Sequence, residues 1–211
     1  MRYICLLSLL VLSIATTTLA AEQAEKKCFV CLFDGKTLDG WQGSVKGYAV
    51  EDGAIVCRKG GNLFTEKEYG DFVLRFEVKI PAGGNNGVGI RTPLKGDAAY
   101  VGMEIQIIDS GAEKYKNLKP YQLHASIYGV VAAEQGHLKP AGEWNCQEIS
   151  CKGGKIKITV NGVVVVDTDI TDIKETVDGR KHPGLHNKKG YIGLLGHGSP
   201  VAYRNIRIKQ Q

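Results

Sequence analysis

The chain has 211 residues, a length that fits one domain with enough residues to bury a core. Hydrophobic residues make up 43% and charged residues 23%, as in soluble globular proteins, and the 27 glycines indicate many tight turns. The formal net charge of +5 comes from scattered basic residues without an aromatic-interleaved basic strip, so it does not indicate nucleic-acid binding.

The first twenty residues differ in composition from the rest of the chain. Arg2 precedes an apolar run over residues 4–15, and small residues follow up to Ala20 and Ala21. This order predicts a signal peptide over residues 1–20, cleaved near Ala20 or Ala21, and therefore a secreted or periplasmic protein. An uncleaved membrane anchor is the alternative, but the apolar run is shorter than the roughly 20 residues that a spanning helix needs.

Five cysteines follow the predicted signal peptide, and export would permit disulfides between them. Because five is an odd number, at least one thiol stays free or pairs between chains. The first two are separated by two residues, which suits a local disulfide or two thiols and leaves zinc binding as an alternative. The five are Cys28, Cys31, Cys57, Cys146 and Cys151.

Residues 21–211 predict a single all-β domain. Residues 71–80 alternate apolar and polar side chains, the pattern of a half-buried antiparallel strand. Asp52-Gly53 and Asn161-Gly162 are favoured hairpin turns between short apolar runs. Long loops are predicted at 110–122 and 171–189. Further strands are predicted within residues 48–57, 63–65, 88–91, 102–108, 123–131, 144–150, 155–160, 163–166, 191–195 and 203–209.

The chain shows no sustained helical periodicity. Short strands with turn signals about every ten residues are typical of two packed antiparallel sheets. The predicted fold is therefore a jelly-roll sandwich, in which one sheet presents a polar concave face.

The stretch from Gly83 to Ser110 is the most informative part of the sequence. A turn rich in glycine and asparagine leads to a strand that ends at Arg91, and a second strand contains Glu104 and Gln106. Side chains alternate across a strand, so these three should lie opposite the apolar residues and away from the core. An arginine, a carboxylate and an amide on one sheet face predict a polar binding surface. The same alternation makes Asp109 a poor partner for Glu104.

The end of the chain is predicted to supply the other wall of a site. His197 lies between two glycines and is not expected to be a core residue. Arg204 shares strand parity with Ile206 and Ile208, which predicts an arginine on an otherwise apolar face. It either binds substrate or is a structural arginine paired with a carboxylate such as Glu104 or Asp109.

Several short motifs, in their order and spacing, resemble the 3-keto-disaccharide hydrolase domain family, which has a concanavalin A-like jelly-roll fold. The resemblance extends over nearly all of residues 21–211. Two departures stand out: Asn86 lies where the family often has serine, and Gly196 lies where it often has glutamine. The matching pieces are residues 32–41, 51–53, 69–72, 85–91, 104–109, 142–145, 161–162, 190–194, 197–198 and 204–206.

The resemblance implies an exported enzyme that acts on glycosides already oxidised to a ketone at C3. A base would remove the proton on C2, the glycosidic bond at C1 would break by elimination, and water could then add. Glu104 or His197 could be the base. Arg91 or Arg204 could stabilise the enolate oxygen, and a bound divalent metal is an alternative for that role. A two-carboxylate glycosidase mechanism is the competing enzymatic hypothesis.

Further candidate ligands for a sugar are polar or aromatic, since sugars offer apolar C–H faces to rings. Each also has a structural interpretation, as a turn, a core residue or a cap. His182 and His186 have a spacing that could hold a metal, although a solvated loop is the preferred interpretation. A carbohydrate-binding module without catalysis is the alternative function. The candidate sugar ligands are Asn86, Gln106, Asp109, His124, Tyr128, Trp144 and Arg204.

Overall fold

The computed structural model describes residues 28–211, so the predicted signal peptide over residues 1–20 lies outside the described residues. Within 28–211, no helix is long and apolar enough to cross a membrane. Besides three 3₁₀ turns at Val45–Gly47, Glu113–Tyr115 and Pro120–Gln122, the described chain contains thirteen strands and one single-turn α-helix. They are β1 (Val30–Cys31), β2 (Trp41–Gly43), β3 (Tyr48–Glu51), β4 (Ala54–Cys57), β5 (Gly61–Tyr69), β6 (Phe72–Lys79), β7 (Asn85–Thr92), α1 (Ala98–Val101), β8 (Met103–Ile108), β9 (Trp144–Lys152), β10 (Lys155–Val160), β11 (Val163–Asp169), β12 (Gly190–Gly196) and β13 (Ala202–Gln210).

Residues 31–211 form one compact unit built from two antiparallel sheets. The larger sheet has the strand order β11-β10-β9-β6-β13-β4-β3, and the smaller sheet has the order β2-β5-β12-β7-β8. Several neighbours come from distant parts of the sequence, such as β6 beside β13 and β5 beside β12, as in a jelly roll. The predicted all-β sandwich is confirmed.

The core lies between the two sheets, and the residues that form it alternate along the strands with residues on the outer face. In β6 every second residue, from Phe72 to Val78, is buried against the core. In β8 the core face carries Met103, Ile105 and Ile107. Glu104 and Gln106 therefore point to the face of the smaller sheet that is turned away from the core, as predicted.

The two hairpin turns also form where the sequence predicts them. Asn161 and Gly162 join β10 to β11 with φ angles of 50° and 87°, and Asp52 and Gly53 join β3 to β4 with φ angles of 49° and 72°. Positive φ at both central residues is the requirement of a type I′ turn, which asparagine, aspartate and glycine meet at low cost.

The predicted strand over residues 123–131 is wrong. This segment forms turns, with isolated bridges at Ile127, and packs along the free edge of β8. Its main chain bonds to β8 irregularly: the Gln106 N–H donates to the Ser126 carbonyl (3.0 Å), and the Tyr128 N–H donates to the Glu104 carbonyl (2.9 Å). The segment thus covers an edge strand that would otherwise expose its polar groups.

Arg91 does not lie on the polar face. Opposite Ile192 the pairing of β7 with β12 is interrupted by a bulge, and Arg91 has a φ of 49°. Its side chain is 2% exposed and donates to the Gly70 carbonyl (2.9 Å) and the Gly153 carbonyl (2.8 Å), and it pairs with Asp71 (3.0 Å). The predicted catalytic role is therefore corrected to a structural one, because a bulge ends simple alternation.

Arg204 is displaced by a second bulge. Asn205 has a φ of 53°, and the pairing of β13 with β6 shifts there, so Ile206 faces the core while Arg204 faces outwards. The guanidinium bonds to Glu77 (2.8 Å) and lies 4.1 Å from the ring centroid of Trp144. Arg204 and Trp144 were both predicted to bind sugar, but they pack together on the outer face of the larger sheet.

We expect Arg91→Met to lower the free energy of unfolding by about 3 kcal/mol, because it removes a buried guanidinium that binds the Gly70 and Gly153 carbonyls and pairs with Asp71. Urea unfolding followed by circular dichroism measures this change. Arg58→Met is the matched control, since the Arg58–Glu51 pair is exposed and its loss should change stability little. Equal effects of the two substitutions would contradict the structural role of Arg91.

Candidate functional site

A cavity of about 300 Å³ opens on the polar face of the smaller sheet. Strands β7 and β8 form its floor, and its walls are formed by His197 and by α1 with the loop over residues 171–189. The lining residues are Asn85, Asp97, Ala99, Tyr100, Glu104, Gln106, Tyr128, Arg180 and His197. We call this cavity the Glu104 cavity.

Glu104 occupies the floor because its neighbours on β7 are glycines. It pairs with Gly89, and its carboxylate leans over Gly87, where even a Cβ atom would collide with Glu104 Oε1. The side chain is 8% exposed, and Oε1 is buried without a hydrogen-bond donor among the described residues. A buried carboxylate oxygen without a donor is costly to a fold and is typical of a functional site.

His197 lies beside this carboxylate. Its Nε2 is 3.7 Å from Glu104 Oε1, an ion-pair separation longer than a hydrogen bond, and its side chain is 57% exposed. The Glu104 carboxylate raises the pKa of His197 above its ordinary value of 6.5, and Asp97 adds a smaller effect in the same direction. Proximity to the Glu104 side chain therefore favours the protonated form of the imidazole.

Asn86 supports His197 from below the sheet. It is fully buried, its Oδ1 accepts a hydrogen bond from the His197 N–H (3.0 Å), and its Nδ2 donates to the Ser199 carbonyl (3.2 Å). Asn86 was predicted to bind substrate directly. The structure instead gives it two main-chain bonds that fix the turn carrying the imidazole.

Gln106 and Tyr128 line the same cavity and share a neighbour. Gln106 Nε2 donates to the Gln122 carbonyl (3.2 Å), and Gln122 Nε2 donates to the Tyr128 hydroxyl (3.2 Å). These bonds leave the Gln106 amide oxygen and the Tyr128 hydroxyl proton available to a ligand. The structure thus brings four of the predicted residues together at one cavity, Glu104, His197, Gln106 and Tyr128.

The wall formed by α1 and the loop carries a positive charge, that of Arg180. The sequence analysis expected Arg91 or Arg204 to supply this charge. Arg180 Nη1 donates to the Tyr100 hydroxyl (2.6 Å), and both side chains line the cavity. Asp97 begins α1 by accepting the Ala99 N–H on its Oδ1 (3.2 Å). That N-cap sets the start of the helix turn that carries Tyr100.

A buried pair behind this wall anchors the loop to α1. His182 is 1% exposed; its Nε2 lies 3.1 Å from Asp178 Oδ2, and its Nδ1 lies 3.1 Å from the Ala99 carbonyl. The His182 ring also packs against Tyr100, with 4.8 Å between ring centroids. The expected solvated loop is therefore wrong at His182, whereas His186 is exposed.

A divalent metal is not supported by the donor set. Within residues 28–211, no three histidine, cysteine, aspartate or glutamate side chains converge in a way that could hold a metal ion. Glu104 and His197 supply two of the ligands that such a site needs, whereas protein sites for zinc commonly use three or four. The residues present thus do not fit a metal centre held by protein ligands.

Asp109 and His124 belong to another part of the molecule. They line a separate cavity of about 460 Å³ that does not include Glu104. Asp109 Oδ2 accepts the Gly83 N–H (2.8 Å), as a turn-capping residue does. His124 Nδ1 accepts the Ile108 N–H (3.4 Å), and burial lowers the pKa of His124 to about 4. The structure gives both residues structural contacts away from the Glu104 cavity.

Sequence reasoning missed Asn85, Asp97, Tyr100 and Arg180. Asp97 before an Ala-Ala-Tyr-Val run is a helix-start signal that could have placed Tyr100 beside β8. The length of the loop over 171–189 was a second signal, because long loops in compact domains are often functional. Nothing in the sequence around Arg180 indicated which surface the loop would reach.

Comparisons with known proteins agree with this fold. The sequence model of a family described as the 3-keto-alpha-glucoside-1,2-lyase-like domain matches residues 29–209. A Bacteroides thetaiotaomicron protein named 3-keto-disaccharide hydrolase is 26% identical over 225 residues, which cover 86% of this chain and 78% of that protein.

Two crystal structures from Parabacteroides distasonis, each named “putative glycosyl hydrolase”, are also similar. One is 32% identical with a TM-score of 0.77 and covers 87% of this chain and 99% of the other. The second is 26% identical with a TM-score of 0.78 and covers 90% of this chain and 97% of the other. The family match confirms the resemblance found in the sequence, and the chain belongs to the 3-keto-alpha-glucoside-1,2-lyase-like domain family.

Proposed function

We propose that this chain is an exported enzyme that cleaves glycosides carrying a ketone at C3. The family and the named relatives support a function of the glycoside hydrolase type. The observation that carries the proposal is the buried Glu104 Oε1, which has no donor among the described residues and lies beside an imidazole whose pKa is raised. Export rests on the predicted signal peptide over residues 1–20.

Glu104 is the proposed base. A ketone at C3 acidifies the C2–H bond, because the electron pair left on C2 delocalises onto the C3 oxygen. Glu104 takes the C2 proton, and the electron pair of the C2–H bond forms an enolate over C2, C3 and the C3 oxygen. A carboxylate shielded from water on a rigid strand is suited to this step, because its lone pair is not occupied by solvent.

His197 is the proposed acid. As the enolate collapses, its electrons form a double bond between C1 and C2 and restore the ketone, and the C1–O bond breaks. The leaving oxygen takes the bond's electron pair and the proton of His197. Water then adds its hydroxide to C1 and gives its proton to His197, and Glu104 returns its proton to C2, so the net change is hydrolysis and both residues recover their starting forms. The raised pKa of His197 favours the protonated imidazole that the transfer to the leaving oxygen needs.

Arg180 and Tyr100 are proposed to stabilise the enolate oxygen. They lie on the cavity wall formed by α1 and the loop. A guanidinium stabilises an oxyanion because it carries positive charge and donates directional N–H hydrogen bonds. This assignment transfers the role expected of Arg91 or Arg204 to a different arginine.

A two-carboxylate glycosidase mechanism is less well supported. Asp97 would have to be the partner of Glu104 in the cavity, but its Oδ1 already accepts the Ala99 N–H at the start of α1. The 3-ketone also makes a second carboxylate unnecessary, since elimination needs one base and one acid. An unoxidised disaccharide should therefore not be cleaved.

We expect Glu104→Gln to lower kcat on a 3-keto-disaccharide about 10³-fold, because the amide cannot accept the C2 proton. Product formation followed by chromatography measures the rate, and sugar binding should persist. Glu148→Gln is the matched control, since Glu148 pairs with Arg75 on the outer face of the larger sheet. Wild-type protein that binds the substrate without product would favour a carbohydrate-binding module instead.

We expect Arg180→Met to lower kcat/KM about 10²- to 10³-fold through the loss of an oxyanion donor. The side chain is exposed, so unfolding in urea should be unchanged. Arg58→Met serves as the control for the loss of a surface arginine. Full activity of the Arg180 variant would remove this residue from the mechanism.

We expect the pKa of His197 to fall in Glu104→Gln, because the carboxylate that raises it is gone. The protonated form should then be lost at lower pH than in the wild type. Titration of the His197 imidazole proton resonances by NMR in the wild type and the variant measures the shift. An unchanged His197 titration would show that the two side chains do not interact in solution.

A further inference from the structure

Two oxygen atoms among the residues that line the Glu104 cavity are buried and have no hydrogen-bond donor among the described residues. They are Glu104 Oε1 and Asn85 Oδ1. Nearly all buried acceptors in folded proteins are paired with a protein or water donor. Two such acceptors at one cavity indicate a ligand that brings its own donors, as a hydroxylated sugar does.

Register places the Asn85 amide next to the reacting carboxylate. Asn85 and Gly87 are two residues apart on β7, so they share a face, and their Cα atoms are about 7 Å apart. The Glu104 carboxylate lies directly over Gly87. The amide and the carboxylate therefore flank one short stretch of the cavity floor.

The backbone that carries Asn85 is held in place. Its N–H donates to Ser199 Oγ (3.1 Å), and the residue pairs with Ile108 of β8. The next residue, Asn86, bonds to the main chain of the turn containing His197. The backbone of Asn85 is thus fixed relative to both Glu104 and His197 before a substrate binds, which lowers the entropic cost of recognition.

We propose that Asn85 is a specificity-determining residue that accepts a hydrogen bond from the substrate hydroxyl on C2. This inference rests on the proposed function, in which Glu104 removes the C2 proton. The C2 hydroxyl shares its carbon with that proton, so a C2–H bond aimed at Glu104 Oε1 brings the hydroxyl to the neighbouring acceptor.

The chemistry of an amide suits this position. Asn85 Oδ1 accepts a hydrogen bond without adding negative charge beside Glu104 and the developing enolate. The expected substrate class is therefore 3-keto-glycosides that retain the C2 hydroxyl, and 2-deoxy analogues should be discriminated against.

The test compares a 3-keto-glucoside with its 2-deoxy analogue carrying the same leaving group. The ratio of their kcat/KM values is measured for the wild type and for Asn85→Leu, so that intrinsic reactivity cancels. We expect the variant to lose about tenfold on the 2-hydroxy substrate and little on the 2-deoxy substrate. Asn62→Leu, the same change on β5 outside this cavity, should keep the wild-type ratio.

Asn85→Ala is the second variant, because the tetrahedral Cγ of leucine is bulkier than the planar amide of asparagine and could disturb the floor. Folding is checked by urea unfolding. Equal substrate ratios in the wild type and both Asn85 variants would overturn the inference and leave the proposed function intact. A wild type that cleaves neither substrate would overturn the proposed function, and the assignment of Asn85 would fall with it.

Discussion

The guanidinium of Arg91 is the contact on which the loops around the smaller sheet depend. It joins the turn between β5 and β6, the turn between β9 and β10, and the end of the loop over 171–189, which are far apart in sequence. Asn187 extends the contact by donating to the carbonyls of Arg91 and Val101. A buried charge must keep its partners, so these segments are held in one arrangement. That arrangement includes the last residue of α1, and hence the wall of the Glu104 cavity.

The cavity combines a rigid floor with a wall built by a loop. The floor is set by sheet register: Gly87 and Gly89 make room, and Glu104 and Gln106 occupy it. The wall depends on packing, because the buried Asp178–His182 pair holds the loop against α1. The proposed base thus lies on a strand, whereas the proposed oxyanion donors lie on the loop, which carries Arg180, and on α1, which carries Tyr100.

The Glu104 cavity is lined by both negatively charged and basic side chains. Glu104 is nearly enclosed, whereas His197 and Arg180 are exposed to solvent. The enclosed carboxylate is therefore screened less by solvent than a fully exposed one would be. The raised pKa of His197 follows from its proximity to this carboxylate, and the Asn86 bonds to the 197–199 turn maintain it.

The sequence by itself determined the sandwich, most strand positions, both hairpin turns and the outward direction of Glu104 and Gln106. These follow from local alternation and turn chemistry, which act over a few residues. Tertiary structure decided where the arginines lie. Bulges at Arg91 and Asn205 reverse the alternation that the sequence pattern implies, and the residues involved give no local sign of it. Tertiary structure also placed Arg180 in the lining of the Glu104 cavity. Long-range packing fixes this placement, and the sequence of the loop has no periodic pattern from which it could be predicted.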